Sequence, residues 1–520
     1  MFENLFEYIY NSKQKLKKQL KICDKPLYPS GGICIGITKH LMHEDIYYVG
    51  TDTHSLCIGA TRSGKSRNVV LQSIGLQALA EENIICSDPK GELMQYTLPF
   101  LERLGYKVFT LDFKNSLKSS RYNYLKPIID YMKEDNIAKA IEATWDMVAS
   151  LVPDGQHTEP IWQNGEASVI AGSIMAVVFD NMERPQFQNL ANVYHFISEM
   201  CRTINGTMPL NQYINSLSEQ HPARALMGIS EVAPSKTRGS FFTSALTTLR
   251  LFTNPYVADM TMDSDFDAEK FDNNKSAVFL ILPDEKTTYY SLASLFVTQF
   301  YEQLVKIADE RGGQLKRRTN FNLDEFGNFT KIPSFTTKLT VGGGRLIRFH
   351  LHIQAINQLE EKYGKEMQPT ILGNCQTWIY LRSDENDTRK MISEKLGTYT
   401  VATSSHSTQF NGSAFAPANL SASCNLTSRP LLTADEVGMI NRPYSLIMSR
   451  AYPAIMIAPD ISQCYFNDMY GLGDSEHNRK LREERESKRK SRTCIDNIPL
   501  WGIWNLYNGS LNIGGATPNF

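Results

Sequence analysis

The chain has 520 residues, with 54 lysines and arginines against 55 aspartates and glutamates. That length allows two or three domains with sizeable cores, and the balanced charge gives no global field that would announce a nucleic-acid partner, leaving only a local basic surface for that role. The nine cysteines contain no Cys-x-x-Cys pair, which excludes a zinc ribbon or a disulfide scaffold and fits a reducing cytosol; no signal peptide opens the sequence, no apolar run reaches the ~20 residues that span a bilayer, and the sequence reads as a soluble protein.

Residues 1–22 have the pattern of an amphipathic helix whose second half is basic, through Lys13, Lys15, Lys17, Lys18 and Lys21. A solvated face explains them better than contact with a membrane surface. A turn-rich linker completes a leading segment over 1–32. From 33 to 113 short β-favouring runs, at 55–58, 83–87 and 107–111, alternate with helical stretches, which predicts a parallel sheet with crossover helices.

The strand signal fades from 123 to 235. Helical patterns at 136–151, 162–181 and 189–204 predict an all-α insertion, with Trp145 and Trp162 as core residues. Strand-like runs resume at 277–282, 319–323, 348–353 and 377–381. The expected division is therefore a discontinuous nucleotide-binding domain over 33–122 and 236–475, a helical domain over 123–235, and a basic C-terminal tail over 476–520. Within these, 403–428 is rich in Ser, Thr, Asn and Ala and reads as a mobile surface loop, and 477–492 as an exposed, strongly basic helix.

The chemistry is concentrated in one octapeptide: Gly59, Ala60, Thr61, Arg62, Ser63, Gly64, Lys65 and Ser66. It follows an apolar run and precedes a helix-like one, the context that a phosphate-binding loop requires. Its glycines let successive amides point at a phosphate, and the helix N-terminus adds partial positive charge. Lys65 reaches the β- and γ-phosphates of ATP, and the Ser66 hydroxyl ligates Mg2+. Asp324 and Glu325 end a β-favouring run. In such a site a carboxylate at the tip of a neighbouring strand helps to hold the metal, which fits Asp324, while Glu325 is placed to polarise an attacking water.

Three further positions carry alternatives. Asp88, in Asp88-Pro-Lys-Gly-Glu92, follows the next strand at the edge where ligands bind; it and its charged neighbours Lys90 and Glu92 tune water or metal, or simply form a turn. Gln354 closes a strand and senses the γ-phosphate, or is an ordinary polar strand end. Arg345, in a Gly-rich loop, neutralises transition-state charge from across a subunit interface, or is a surface arginine. His350 and His352 lack a partner at ligand spacing and read as packed or solvated. Lys65 and Asp324 lie 259 residues apart, and the helical insertion accounts for much of that distance.

Together these motifs resemble the coupling-protein ATPases of conjugation and type IV secretion, the TraG/TraD-like group. The matching residues are the octapeptide, Asp88-Pro-Lys-Gly-Glu-Leu93, Tyr122-Asn-Tyr-Leu125, Gly239-Ser-Phe-Phe-Thr-Ser-Ala-Leu246, and Leu323-Asp-Glu-Phe-Gly-Asn328 with Lys331-Ile-Pro333. Gln354, Leu396-Gly397 and Arg429-Pro-Leu-Leu-Thr433 complete the set. The resemblance implies a RecA-like P-loop NTPase domain interrupted by an all-α domain that recognises cargo, and assembly as a homo-hexamer. It implies ATP hydrolysis coupled to delivery of a relaxase–DNA complex, or of protein substrates, to a secretion channel.

By position, Lys65 and Ser66 serve nucleotide and magnesium, Asp324 and Glu325 metal and water, and Arg345 and Gln354 are the trans-finger and sensor candidates. Many members begin with transmembrane helices, and none is read here; the expected place is the cytoplasm, at the inner face of the membrane. Two other functions share these residues: a translocase for double-stranded DNA of the FtsK/HerA type, and a slow nucleotide-gated cargo scaffold.

Overall fold

The computed structural model describes residues 30–507 except 42, 153–158, 205, 284–286, 410–418, 450–452 and 494–497. The helix expected over 1–22 lies outside the described residues. After β1 (Ile33–Lys39) and β2 (Glu44–Val49), which the sequence reading did not name, each β-favouring run forms a strand: β3 (His54–Gly59), β4 (Asn83–Ser87), β5 (Lys107–Asp112), β6 (Ser276–Ile281), β7 (Thr319–Leu323), β8 (Ile347–Ile353) and β9 (Cys375–Arg382). Four more strands escaped the sequence reading: β10 (Thr398–Gln409), β11 (Asn419–Pro430), β12 (Tyr444–Met448) and β13 (Ala454–Ile457).

Nine strands make one sheet in the order β13-β12-β9-β3-β8-β7-β4-β6-β5. From β9 to β5 all pairs are parallel, and β12 and β13 add an antiparallel edge. The central strands β3, β4, β6, β7 and β8 are buried along their whole length. A parallel sheet covered on both faces requires such runs.

One face of the sheet is covered by α1 (Leu71–Leu79) and α2 (Glu92–Arg103), the core there taking Ile84, Phe279 and Ile281 from the strands. On the other face Ile58, Ile85, Val278 and Leu323 join a single core that runs on into the helical unit. That unit holds α3 (Lys126–Lys133), α4 (Ile137–Leu151), α5 (Pro160–Phe179), α6 (Leu190–Met200), α7 (Pro209–Ser216) and α8 (Ser235–Leu249), and its helices continue to Asn273 before β6.

The centre of the unit is α5, apolar around its circumference and packed by α4, α6, α8 and the turn Pro222–Leu226. Gly165 and Gly172 permit that contact: a Cβ on either would strike the Phe241 ring or Met227. Trp162 meets Phe241 edge-on at 5.9 Å, whereas Trp145, expected in the core, is exposed on α4.

The Tyr122-Asn-Tyr motif is the junction between the two units. It binds α9 (Tyr290–Glu310), the long helix under the sheet: Gln303 Nε2 donates to Tyr122 Oη at 3.1 Å, Gln299 Nε2 to Tyr124 O at 2.9 Å, and Tyr124 Oη to Leu292 O at 3.1 Å. In the other direction Asn123 Nδ2 donates to Gln188 O at 2.7 Å, ahead of α6.

The expected mobile loop over 403–428 is instead a two-stranded ribbon, with β10 and β11 paired from Thr398↔Pro430 to Gln409↔Asn419. Its Ser- and Thr-rich run lacks the apolar alternation that would mark it as β, and Ala402–Ser404 and Cys424–Thr427 are exposed on either strand. The basic run beyond 476 forms α10 (Ser475–Lys488), which lies along α2 with only Asn478 buried. Among the described residues no helix is long and apolar enough to cross a membrane.

At the amino edge of the sheet a charged cluster surrounds two buried partners, Arg348 and Glu82. Arg348 on β8 pairs with Glu82; Arg318 Nη1 approaches the same carboxylate at 3.1 Å, and Asn320 Nδ2 donates to it at 2.9 Å. Arg348 also donates to Gly31 O at 3.1 Å, tying the β1 entry to the sheet. Removing one partner leaves a buried charge uncompensated. Arg348→Ala is expected to lose about 3–5 kcal/mol of unfolding free energy in urea titration. A loss below about 1 kcal/mol, the level of an exposed pair, would contradict this reading.

Candidate active site

The phosphate loop joins the end of β3 to α1 through a wide π-type turn over Lys65–Val70. Gly64 takes a left-handed φ of 99°, and a Cβ there would lie 2.6 Å from Asn68 Oδ1. A Cβ on Gly59 would lie 2.8 Å from Lys65 Cγ. Both glycines are thus needed for the loop to close. Inside it the buried Ser63 hydroxyl has no hydrogen-bond partner among the described residues. Lys65 Nζ turns back to donate to Gly59 O at 2.8 Å. Backbone amides in this curve, an inward lysine and an orphaned hydroxyl fit a phosphate.

Parallel register brings the other candidates to the same edge. Ile58 lies beside Ile353 and Leu323 beside Leu351, so the tips of β3, β8 and β7 meet. Ser66 Oγ donates to Asp324 Oδ2 at 2.6 Å, a hydroxyl–carboxylate pair whose oxygens suit a hard cation such as magnesium. Glu325 stands in a left-handed conformation with φ 52°, uncommon for a residue with a side chain and typical of functional sites. Its carboxylate lies 3.2 Å from Lys65 Nζ and accepts from Gln354 Nε2 at 2.9 Å, while Gln354 Oε1 accepts from Thr61 Oγ1 at 3.3 Å. Thr61, Gln354, Glu325, Lys65 and Gly59 therefore form one chain of polar contacts across three strand tips.

Asp88 sits at the tip of β4, next to β7, where Ser87 Oγ donates to Asp324 O at 2.7 Å. Burial pushes its carboxyl up to about 7, against the amides of Met94 and Leu93 that favour the charged form, and the charge of Asp324 adds to the rise. Its neighbours point elsewhere: Lys90 is exposed, and Glu92 pairs with Arg482 of α10.

Arg345 does not join this constellation within one chain. It precedes β8, at the opposite edge of the sheet, and its Nη2 lies 2.9 Å from Asp309 Oδ1. His350 and His352 are buried; His350 bonds Ser55 Oγ at 2.8 Å and Asn320 Oδ1 at 3.2 Å, and burial pushes His352 down to about 3.

Several contacts to the loop come from residues the sequence reading passed over. Arg442, ahead of β12, donates from Nε to Ser63 O at 2.9 Å and also bonds Arg62 O. Beyond β13, Asp460 takes Arg67 in a two-point pair at 2.6 and 2.7 Å, and Ala458 O accepts from Asn68 Nδ2 at 2.7 Å. These partners lie about 380–390 positions from the loop in sequence, and no local pattern marks them.

A family model described as "Type IV secretory system Conjugative DNA transfer" matches residues 9–492. The chain belongs to this family. It is 25% identical over 405 residues to the conjugal transfer protein TraG of Escherichia coli, covering 74% of this chain and 61% of TraG. It is 23% identical over 423 residues to VirD4 of Agrobacterium fabrum, covering 78% of this chain and 58% of VirD4. The chain thus spans about three fifths of the length of the curated relatives it matches.

Solved structures of the conjugative coupling protein TrwB share the fold. The unbound form superposes with TM-score 0.59 at 15% identity, over 86% of this chain and 91% of TrwB, and the complex of TrwB with ADPNP gives 0.59 over 79% and 86%. This family member accordingly shares the fold of TrwB, a mostly parallel nine-stranded sheet joined to a helical unit.

In nucleotide-free protein, the raised constant of Asp88 has a defined sign. Between about pH 4 and 7 the folded chain holds a proton that the unfolded chain has released, so stability falls as pH rises through that window. Asp88→Asn removes the effect. The unfolding free energy of the variant relative to wild type is expected to shift in its favour by on the order of 4 kcal/mol between pH 4 and 8. Parallel pH profiles in urea would contradict the assignment.

Proposed function

We propose that this chain is the ATP-hydrolysing motor of a conjugative coupling protein, delivering a relaxase–DNA complex or a protein substrate to a type IV secretion channel. The observation that carries the reading is the polar constellation linking Lys65, Ser66, Asp324, Glu325 and Gln354 at one sheet edge of a family member. The relatives support it: TrwB is known in complex with ADPNP, and with ADP and Mg2+.

In this reading the loop amides and Lys65 hold the phosphates of ATP. Ser66 and Asp324 hold magnesium, which when bound neutralises charge on the β- and γ-phosphates. Glu325 accepts a proton from the attacking water, and Gln354 orients Glu325 and registers the γ-phosphate through the Thr61 contact. Asp88, neutral below about pH 7, keeps a second negative charge from crowding Asp324. The Lys65–Glu325 pair belongs to the nucleotide-free chain; phosphate entry draws Lys65 away and leaves the carboxylate to the water.

Arg345, on the far edge, serves a neighbouring subunit of a homo-hexamer. The helical unit between β5 and β6 engages cargo, and the Tyr122-Asn-Tyr junction transmits nucleotide state to it. DNA is gripped without sequence preference and stimulates turnover. The protein works at the cytoplasmic face of the membrane beside the channel.

Lys65→Ala is expected to bring ATP hydrolysis to background. Glu325→Gln is expected to retain nucleotide binding while its kcat falls about 10²–10⁴-fold, measured by phosphate release. Turnover within tenfold of wild type in Glu325→Gln would remove Glu325 from the reaction. In mixed assemblies, Arg345→Ala subunits combined with Glu325→Gln subunits should regain activity at interfaces that pair one intact arginine with one intact glutamate. No recovery in any mixing ratio would contradict the trans role.

A further inference from the structure

The last described segment, residues 498–507, leaves the motor and lies on the helical unit. Its sequence, Ile498-Pro-Leu-Trp-Gly-Ile-Trp-Asn-Leu-Tyr507, carries an aromatic residue at every third position from 501. Each aromatic has its own socket. Trp501 stacks on Phe196 with centroids 5.6 Å apart and planes at 12°. Trp504 lies 6.3 Å from the His195 ring, and Tyr507 meets Tyr213 edge-on at 6.1 Å, with its hydroxyl 3.3 Å from Ser216 Oγ. Trp501, Trp504 and Tyr507 retain 9%, 8% and 2% of their exposure.

The backbone is read as well. Asn192, fully buried on α6, donates from Nδ2 to Pro499 O at 3.0 Å and accepts at Oδ1 from Trp501 N at 2.8 Å. Asn189 Oδ1 fixes that amide by accepting from Asn192 Nδ2 at 3.1 Å. Two main-chain bonds at the lead-in, then a helical turn over 504–507 that carries side chains three positions apart into their sockets, is how a groove receives a short peptide.

The attachment is separate from the motor's hold on the chain just upstream. There Arg489 Nη1 lies 2.7 Å from Asp112 Oδ2, and Arg492 N donates to Leu117 O, just after β5, at 2.8 Å. Only residues 493–497 connect these two anchorages.

We propose that the α6–α7 surface is a peptide-binding groove of the helical unit, that residues 498–507 are its resident occupant, and that a segment of the same chemistry on a transported protein, two tryptophans three positions apart followed by a tyrosine, binds by displacing them. The proposal rests on the cargo role given to the helical unit above. A tethered occupant at millimolar effective concentration keeps the groove closed to weak competitors.

The test uses the full chain carrying Lys65→Ala, so that the outcome is independent of hydrolysis and its failure leaves the ATPase reading untouched. The probe is a fluorescent protein with residues 498–507 fused to its C-terminus, and the control is a scrambled fusion. Trp501→Ala/Trp504→Ala in the chain is expected to raise the affinity for the probe at least tenfold over the unsubstituted chain, and adding Asn192→Ala to lower it again at least tenfold. A second form, with a protease site placed in 494–497, is cleaved after folding; the released segment should then exchange with the probe while helical circular dichroism is retained. Equal binding of probe and scramble, or a cleaved segment that never exchanges, would overturn the proposal. So would loss of the helical signal on its release, which would make the segment part of the core.

Discussion

The arrangement rests on the parallel register that sets the tips of β3, β7 and β8 side by side. A one-residue slip would turn each buried strand over, and Asp324 and Gln354 would leave the loop. The register is fixed because both faces of these strands are buried, so no alternative pairing hides the same apolar surface. With it in place, Lys65, Glu325 and Gln354 reach one another without help from elsewhere. Glu325 then holds its left-handed backbone because its carboxylate is anchored on two sides.

The same sheet has two chemically opposite edges. The carboxyl edge gathers groups whose partners are exchangeable: a lysine that bonds a carbonyl and a carboxylate, a hydroxyl on an aspartate, an orphaned serine. The amino edge gathers Arg348, Glu82, Arg318 and Asp52 into permanent pairs. One end holds groups free to take new partners and the other holds buried pairs, a division that suits the proposed ATP site. The edge strands β12 and β13 add Arg442 and Asp460 as outside supports of the loop.

Local chemistry was the legible part of the sequence. The phosphate loop declares itself in eight residues, and Asp324 follows from a strand that ends in two acids. Long buried strands were readable because burial on both faces leaves an apolar run, α4 and α6 because they are amphipathic, and α5 because it is a long, mostly apolar run. The ribbon of β10 and β11 was not, since its Ser- and Thr-rich run has no apolar alternation, and β13 was not, since Ile455 and Ile457 are exposed. Arg442 and Asp460 act on the loop from far along the chain. The raised constant of Asp88 depends on what covers it, which only packing determines. Aromatic spacing at 501, 504 and 507 was present in the sequence, but without a groove to receive it the segment read as a basic tail.

A continuous apolar core runs from the sheet into the helical unit, stapled at Tyr122, Asn123 and Tyr124. Movement at the strand tips has no solvent gap to cross before it reaches α5 and α6. In the proposed function the starting event is the exchange of Lys65 from Glu325 to phosphate, and a crystal structure of the chain with a non-hydrolysable ATP analogue and magnesium tests it most directly. The account predicts Lys65 Nζ on the β- and γ-phosphates, beyond hydrogen-bond reach of Glu325, with Ser66 and Asp324 on the metal and a water within reach of the Glu325 carboxylate. Nucleotide bound in the loop with the Lys65–Glu325 pair intact would contradict it.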